Sequence, residues 1–259
     1  MKFKVFVVLV LTLGLALLAS AQKLDKPYNK WSKDEAIKII TESAWAKTYQ
    51  STKGTDVALA GQNARLQNQT ATRGGSDPRS VARDLGPAPV VMRLHSALPV
   101  RQALVRLQQI DAGYDKMNEA DRATFDKSRE KFLECAICKD YYVVTITKFV
   151  DSTGQVADEG IFQGFTLEEL KGNVRLVNDK GVTRDIVQFN SPKNARDQAV
   201  FYFKRTDETG QPLLTPDSKE VKFVFTGDFL STKNRFAYLV PNTFEFKISK
   251  MIADNTVLF

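Results

Sequence analysis

The sequence predicts an α+β protein: an N-terminal helix, a flexible linker, and then a mostly antiparallel β-sheet or sandwich domain with two or three helices. Three observations lead there. Thirteen of the 17 phenylalanines lie beyond residue 140, in short runs that alternate or are rich in β-branched residues. Turn residues rather than helices separate most of those runs, which disfavours a parallel doubly wound sheet. The longer helical periodicities fall earlier in the chain. At 43% hydrophobic and 26% charged residues, the 259-residue chain has an ordinary globular composition, which excludes collagen, long low-complexity disorder and a multi-span membrane protein.

Residues 1–21 read as a signal peptide. Lys2 and Lys4 precede an apolar stretch from Val5 to Leu18, and Ala19, Ser20 and Ala21 provide a small-residue cleavage site between Ala21 and Gln22. The apolar run is shorter than the roughly 20 residues that cross a bilayer, so no transmembrane span is expected after removal of the leader. The expected destination is the periplasm or the exterior. Processing takes two charges from the formal +7.

Within 22–50, Ser32 and Glu35 make a capping box. Ile37, Ile40, Ala44 and Trp45 then recur on one face, which predicts a helix to about Tyr49. Residues 51–86 shift to Gly, Gln, Asn, Ser, Thr and Arg, a composition that offers little bulk to a core and reads as a flexible basic linker. The positive surplus is local. Lys53, Arg65, Arg73, Arg79, Arg83, Arg93, Arg101 and Arg106 face only Asp56, Asp77 and Asp84 between residues 51 and 110. Such a cluster attracts polyanions, but no aromatic residues are interleaved for base stacking, so no specific nucleic-acid binding is expected.

The globular domain is expected over 87–259. Val90, Met92 and Leu94 alternate with Val91, Arg93 and His95 as in a half-buried strand. Ser96 and Pro99 open a helix whose stripe includes Leu104 and Leu107, and Asn118 caps a second from Glu119 to Glu134. Strands are predicted over 141–150, 174–177, 183–189, 199–204, 220–225, 236–240 and 243–251, with one short helix capped by Thr166 and Glu169.

Cys135 and Cys138 form the single C-x-x-C pair. In an exported protein the expectation is a structural disulfide. A redox role is the alternative, opposed by position: the pair follows a helix, whose negative end raises a thiol pKa, instead of opening one. Half a zinc site is present, and one chain lacks the other half, so neither metal nor cofactor is expected. His95 is the sole imidazole and has no nucleophile motif beside it, which gives a surface or half-buried residue precedence over a general base. Asp158 with Glu159 and Glu168 with Glu169 are adjacent acids, and a glycosidase needs two acids converging on one cleft. Phe201, Tyr202, Phe203, Phe223 and Phe225 read as core. No catalytic residue is assigned.

Lys26, Pro27, Tyr28, Trp31, Ser32, Glu35 and Ala36, followed by Ser43 to Ala46, Ser96 to Arg101 and Phe246 to Met251, resemble landmarks of a group of uncharacterised secreted bacterial proteins. The resemblance implies an exported protein of unknown role and transfers no catalytic residue. The expected function is that of a non-enzymatic binding or structural protein with an envelope or extracellular partner. The alternative is a thiol-disulfide oxidoreductase or redox sensor built on Cys135 and Cys138.

Overall fold

The computed structural model describes residues 26–50, 89–148, 161–194, 196–227, 229–232, 240–253 and 256–259. The expected leader with its Ala21/Gln22 junction, the expected linker, the acids Asp158 and Glu159, and nearly all of the strand expected over 236–240 lie outside them.

Helix α1 (Lys33–Thr41) begins where its capping box places it. Ser32 Oγ accepts from the Glu35 amide and Glu35 Oε2 accepts from the Ser32 amide. It stops well short of Tyr49. The Thr41 and Ser43 hydroxyls bond back to the carbonyls of Ile37 and Ile39, closing the last turn. Ala46–Tyr49 then forms strand β1, paired antiparallel with β2 (Val90–Leu94). The helical spacing of Trp45 was therefore coincidental; its side chain reaches the core from the turn before a strand.

Helix α2 (Leu98–Asp111) carries Pro99 in its first turn, but Ser96 does not cap it. Ser96 Oγ accepts instead from the Val143 amide of strand β3 (Tyr141–Lys148). Helix α3 (Glu119–Glu134) is capped by Asn118, whose side chain accepts from the Asp121 amide, and it ends at Cys135 in a left-handed conformation with φ 49°. The one-turn helix α4 (Leu167–Leu170) has the expected Thr166–Glu169 capping box. Strands β4 (Val174–Asn178) and β5 (Thr183–Asn190) form a hairpin. Asn178 Oδ1 accepts from the amides of Lys180 and Val182, and Gly181 takes the φ of 78° that side chains rarely adopt. Strands β6 (Ala199–Lys204) and β7 (Glu220–Phe225) come next, then the one-turn helix α5 (Phe229–Thr232) and β8 (Thr243–Lys247). A 3₁₀ turn over Ile248–Lys250 ends that last strand before the 251 expected, and Ile252–Ala253 (β9) pairs with Thr256–Val257 (β10).

The eight longer strands make one antiparallel sheet in the order β1-β2-β3-β6-β5-β4-β7-β8. This is an α+β fold with a single curled sheet in place of two facing ones. Its end strands β1 and β8 line a common cleft, so the sheet comes close to closing on itself. Alternate residues of the strands share one core: Met92 and Leu94 of β2, Val144 and Ile146 of β3, Phe201 and Phe203 of β6, Phe223 and Phe225 of β7, Phe244 and Phe246 of β8. Trp31, Ile39 and Ile40 beside and within α1, with Val100 and Ala103 of α2, belong to the same cluster, so residues 26–50 share both sheet and core with the domain expected over 87–259.

Strand β2 departs from the half-buried expectation, since all five of its residues are buried. Its second face is covered as well: Arg93 lies 8% exposed and bonds the end of α1. Helix α2 likewise buries Arg101, Arg106 and Gln109, while Leu104 and Leu107 are only partly covered. The arginines that made residues 51–110 look like a basic surface are, in these three instances, interior ties.

Candidate functional site

The expected site residues go to different places. Cys135 and Cys138 form a disulfide that bridges the end of α3 and the 3₁₀ turn Ala136–Lys139. Cys138 is buried, and its small cluster with Val143 and Tyr202 covers the outer face of β3 and β6. His95 sits close by, half-buried, its ring edge-on to Phe132 at 5.5 Å. Burial, with smaller contributions from Arg101 and Arg93, pushes the imidazole down to about 4, so it is neutral at physiological pH. No polar partner of its Nδ1 occurs among the described residues, and the imidazole makes no catalytic hydrogen bond there. Glu169 is used in the capping box and Glu168 pairs with Lys171 at 2.6 Å, so this acid pair is a helix start. Phe201, Phe203, Phe223 and Phe225 are core, as expected, and Tyr202 belongs to the smaller cluster around Cys138.

Two guanidinium groups converge on Cys138. Arg101 reaches it from α2, with Nη1 3.7 Å from Cys138 Sγ, and also donates to the carbonyls of His95, Ser96 and Leu133. Arg205, just past β6, donates through Nε to the Cys138 carbonyl at 2.7 Å, donates to the main-chain oxygen of Phe259, the last residue of the sequence, and lies 4.4 Å over the Tyr142 ring. Burial lowers Arg101 to about 10 and the Arg205 charge acts in the same direction, but both remain cations at neutral pH. Neither pairs with an Asp or Glu side chain among the described residues. Sequence reasoning located the cysteines and missed both arginines, because 37 and 67 residues separate them from Cys138 and no local spacing announces them.

A separate feature, and a concave one, is the seam between the sheet's two ends. A cleft of about 720 Å³ is lined by Lys38, Glu42, Ser43, Lys47, Thr48, Glu245, Lys247 and Lys250, among others. These come from α1, the turn after it, β1, β8 and the 3₁₀ turn beyond. Glu245 is within 3.8 Å of Lys222, outside the cleft, while the four cleft lysines form no ion pair among the described residues. The sequence signal for this site was nil, since Lys47 and Lys247 stand 200 residues apart and look like ordinary surface charges.

Neither a protein family, nor a curated protein, nor a solved structure matches the chain. Among the described residues, no group of acidic, Cys and His side chains could hold a metal ion.

Proposed function

We propose that the protein is a binding protein of the cell envelope or exterior, and that the seam between β1 and β8 receives an extended acidic chain. The observation that carries this is the meeting of two sheet edges at one cleft with four lysines that form no ion pair among the described residues. An edge strand offers a row of main-chain donors and acceptors to an added strand. Lys38, Lys47, Lys247 and Lys250 outnumber Glu42 and Glu245, so acidic side chains on that strand are attracted. Export is supported by the leader pattern of residues 1–21, and no helix among the described residues is long and apolar enough to cross a membrane.

A fluorescent peptide of alternating Glu and Val, titrated at low ionic strength, tests the reading. Binding should weaken as salt shortens the screening length. The double variant K47E/K247E should bind about tenfold more weakly, since two reversed exposed pairs are worth about 1.4 kcal/mol. Lysines that only keep copies of the edge apart would leave the peptide unbound, and that result, or equal binding by the variant, overturns the proposal.

A further inference from the structure

The surroundings of the disulfide carry a step beyond ligand binding. A bridge with two residues between its cysteines closes a very short loop, and the constraint it places on the unfolded chain is correspondingly small. Cross-linking is therefore a weak account of its presence. What distinguishes it is the charge around one of its sulfurs. Arg101 is 5% exposed and holds a cation against Cys138 Sγ, and its other acceptors are neutral carbonyls. Arg205 fixes the main chain of the same residue, and the two cations repel one another with no Asp or Glu side chain paired to either among the described residues. A negative charge on Cys138 would relieve that repulsion. The two sulfurs are also unequal in access: Cys135 is partly exposed, Cys138 is buried, and the intervening Ile137 is 39% exposed, an apolar contact beside the more accessible sulfur.

We propose that Cys135 and Cys138 form a thiol-exchange site that oxidises a partner dithiol, with Arg101 holding the departing Cys138 sulfur as a thiolate. The partner's thiolate attacks Cys135 Sγ, the Cys135–Cys138 bond breaks, and its electron pair leaves on Cys138 beside Arg101 Nη1. The partner's second thiol then attacks its own sulfur in the mixed disulfide and gives its proton to Cys135. The balance is one partner disulfide formed, one Cys135 thiol and one Cys138 thiolate, with two electrons transferred to the pair. A leaving thiol departs faster the lower its pKa, which is the effect a neighbouring guanidinium has. The helix end that opposes a thiolate acts on Cys135, the residue at the terminus of α3; the arginines act on Cys138.

The test uses the full chain. In C135S the remaining Cys138 is titrated by its thiolate absorbance at 240 nm, with Arg101 intact. A midpoint at least about one pH unit below the ordinary 8.5 is expected. The wild-type disulfide should be reduced by dithiothreitol about tenfold faster than that of R101M. A C135S midpoint at or above the ordinary value overturns the proposal whether or not R101M folds, and so does an R101M disulfide that is reduced as fast as the wild type.

Discussion

Arg93 Nε donates to the main-chain carbonyl of Ile40 at 2.7 Å, joining β2 to the end of α1 across 53 residues of sequence. Arg106 makes the parallel tie from α2, donating to the carbonyl of Trp31 at 2.7 Å while its other nitrogens hold Asp115. A guanidinium can reach several carbonyls at once from one planar group, which suits it to close a helix end whose carbonyls have lost their intrahelical partners. These two arginines attach residues 26–50 to β2 and α2.

Replacing Arg93 with Met keeps the apolar stem and removes the donor. The Ile40 carbonyl is then buried without that partner, and a loss of about 2 kcal/mol is expected, in the range for hydrogen bonds from charged groups. Urea unfolding should show a lower midpoint with an unchanged slope, because the surface exposed on unfolding is the same. A midpoint equal to wild type would show that the tie contributes nothing net.

His95 predicts a pH dependence with a definite sign. The unfolded chain takes up a proton there near 6.5, the folded protein only near 4, so the unfolded state binds more protons in that window. Stability is present above pH 6.5 and falls as the pH drops towards 4, by up to about 3 kcal/mol from this residue. The difference in stability between wild type and H95F, measured by urea unfolding from pH 7 to 4, should follow that curve. Carboxylates such as Glu35, held at about 2 by its bond with Lys26, titrate lower and cancel in the comparison.

Phe223 touches three other rings, with centroids at 5.3 Å from Phe201, 5.7 Å from Phe203 and 5.1 Å from Phe225. It is fully buried where β7 meets the centre of the core. Phe223→Ala should cost about 3 to 5 kcal/mol, the usual range for emptying a buried aromatic site. Thermal unfolding would register this as a large fall in Tm, and a small fall would mean that the neighbouring rings collapse into the space.

Much of the fold was legible where a residue's partner lies within one turn or one pleat. Ser32 and Glu35, Thr166 and Glu169, and Asn118 with Asp121 are contacts three residues apart, and each marks a helix start correctly. Strands β4, β7 and β8 alternate because one face meets the core, and β4, β5, β6 and β7 match their predicted limits to within a residue. Ala46–Tyr49 failed for the opposite reason. Its local pattern permits a helix, and only the hydrogen bonds of β2, more than 40 residues on, make it a strand. The candidate site divides in the same way. Cys135 and Cys138 are visible from their spacing, whereas Arg101, Arg205 and the seam lysines acquire meaning from neighbours far along the chain.

By itself, then, the amino-acid order determined the capped helix starts, the limits of strands β4 to β7 and the α+β class, because capping and pleating are interactions of range three or less. The tertiary structure alone decided that β2 is buried on both faces, that Arg93, Arg101 and Arg106 are interior, and that β1 and β8 meet at a cleft. Those outcomes depend on which surfaces are brought together to bury apolar area, and burial is a property of the assembled sheet and helices that no local stretch of the chain contains.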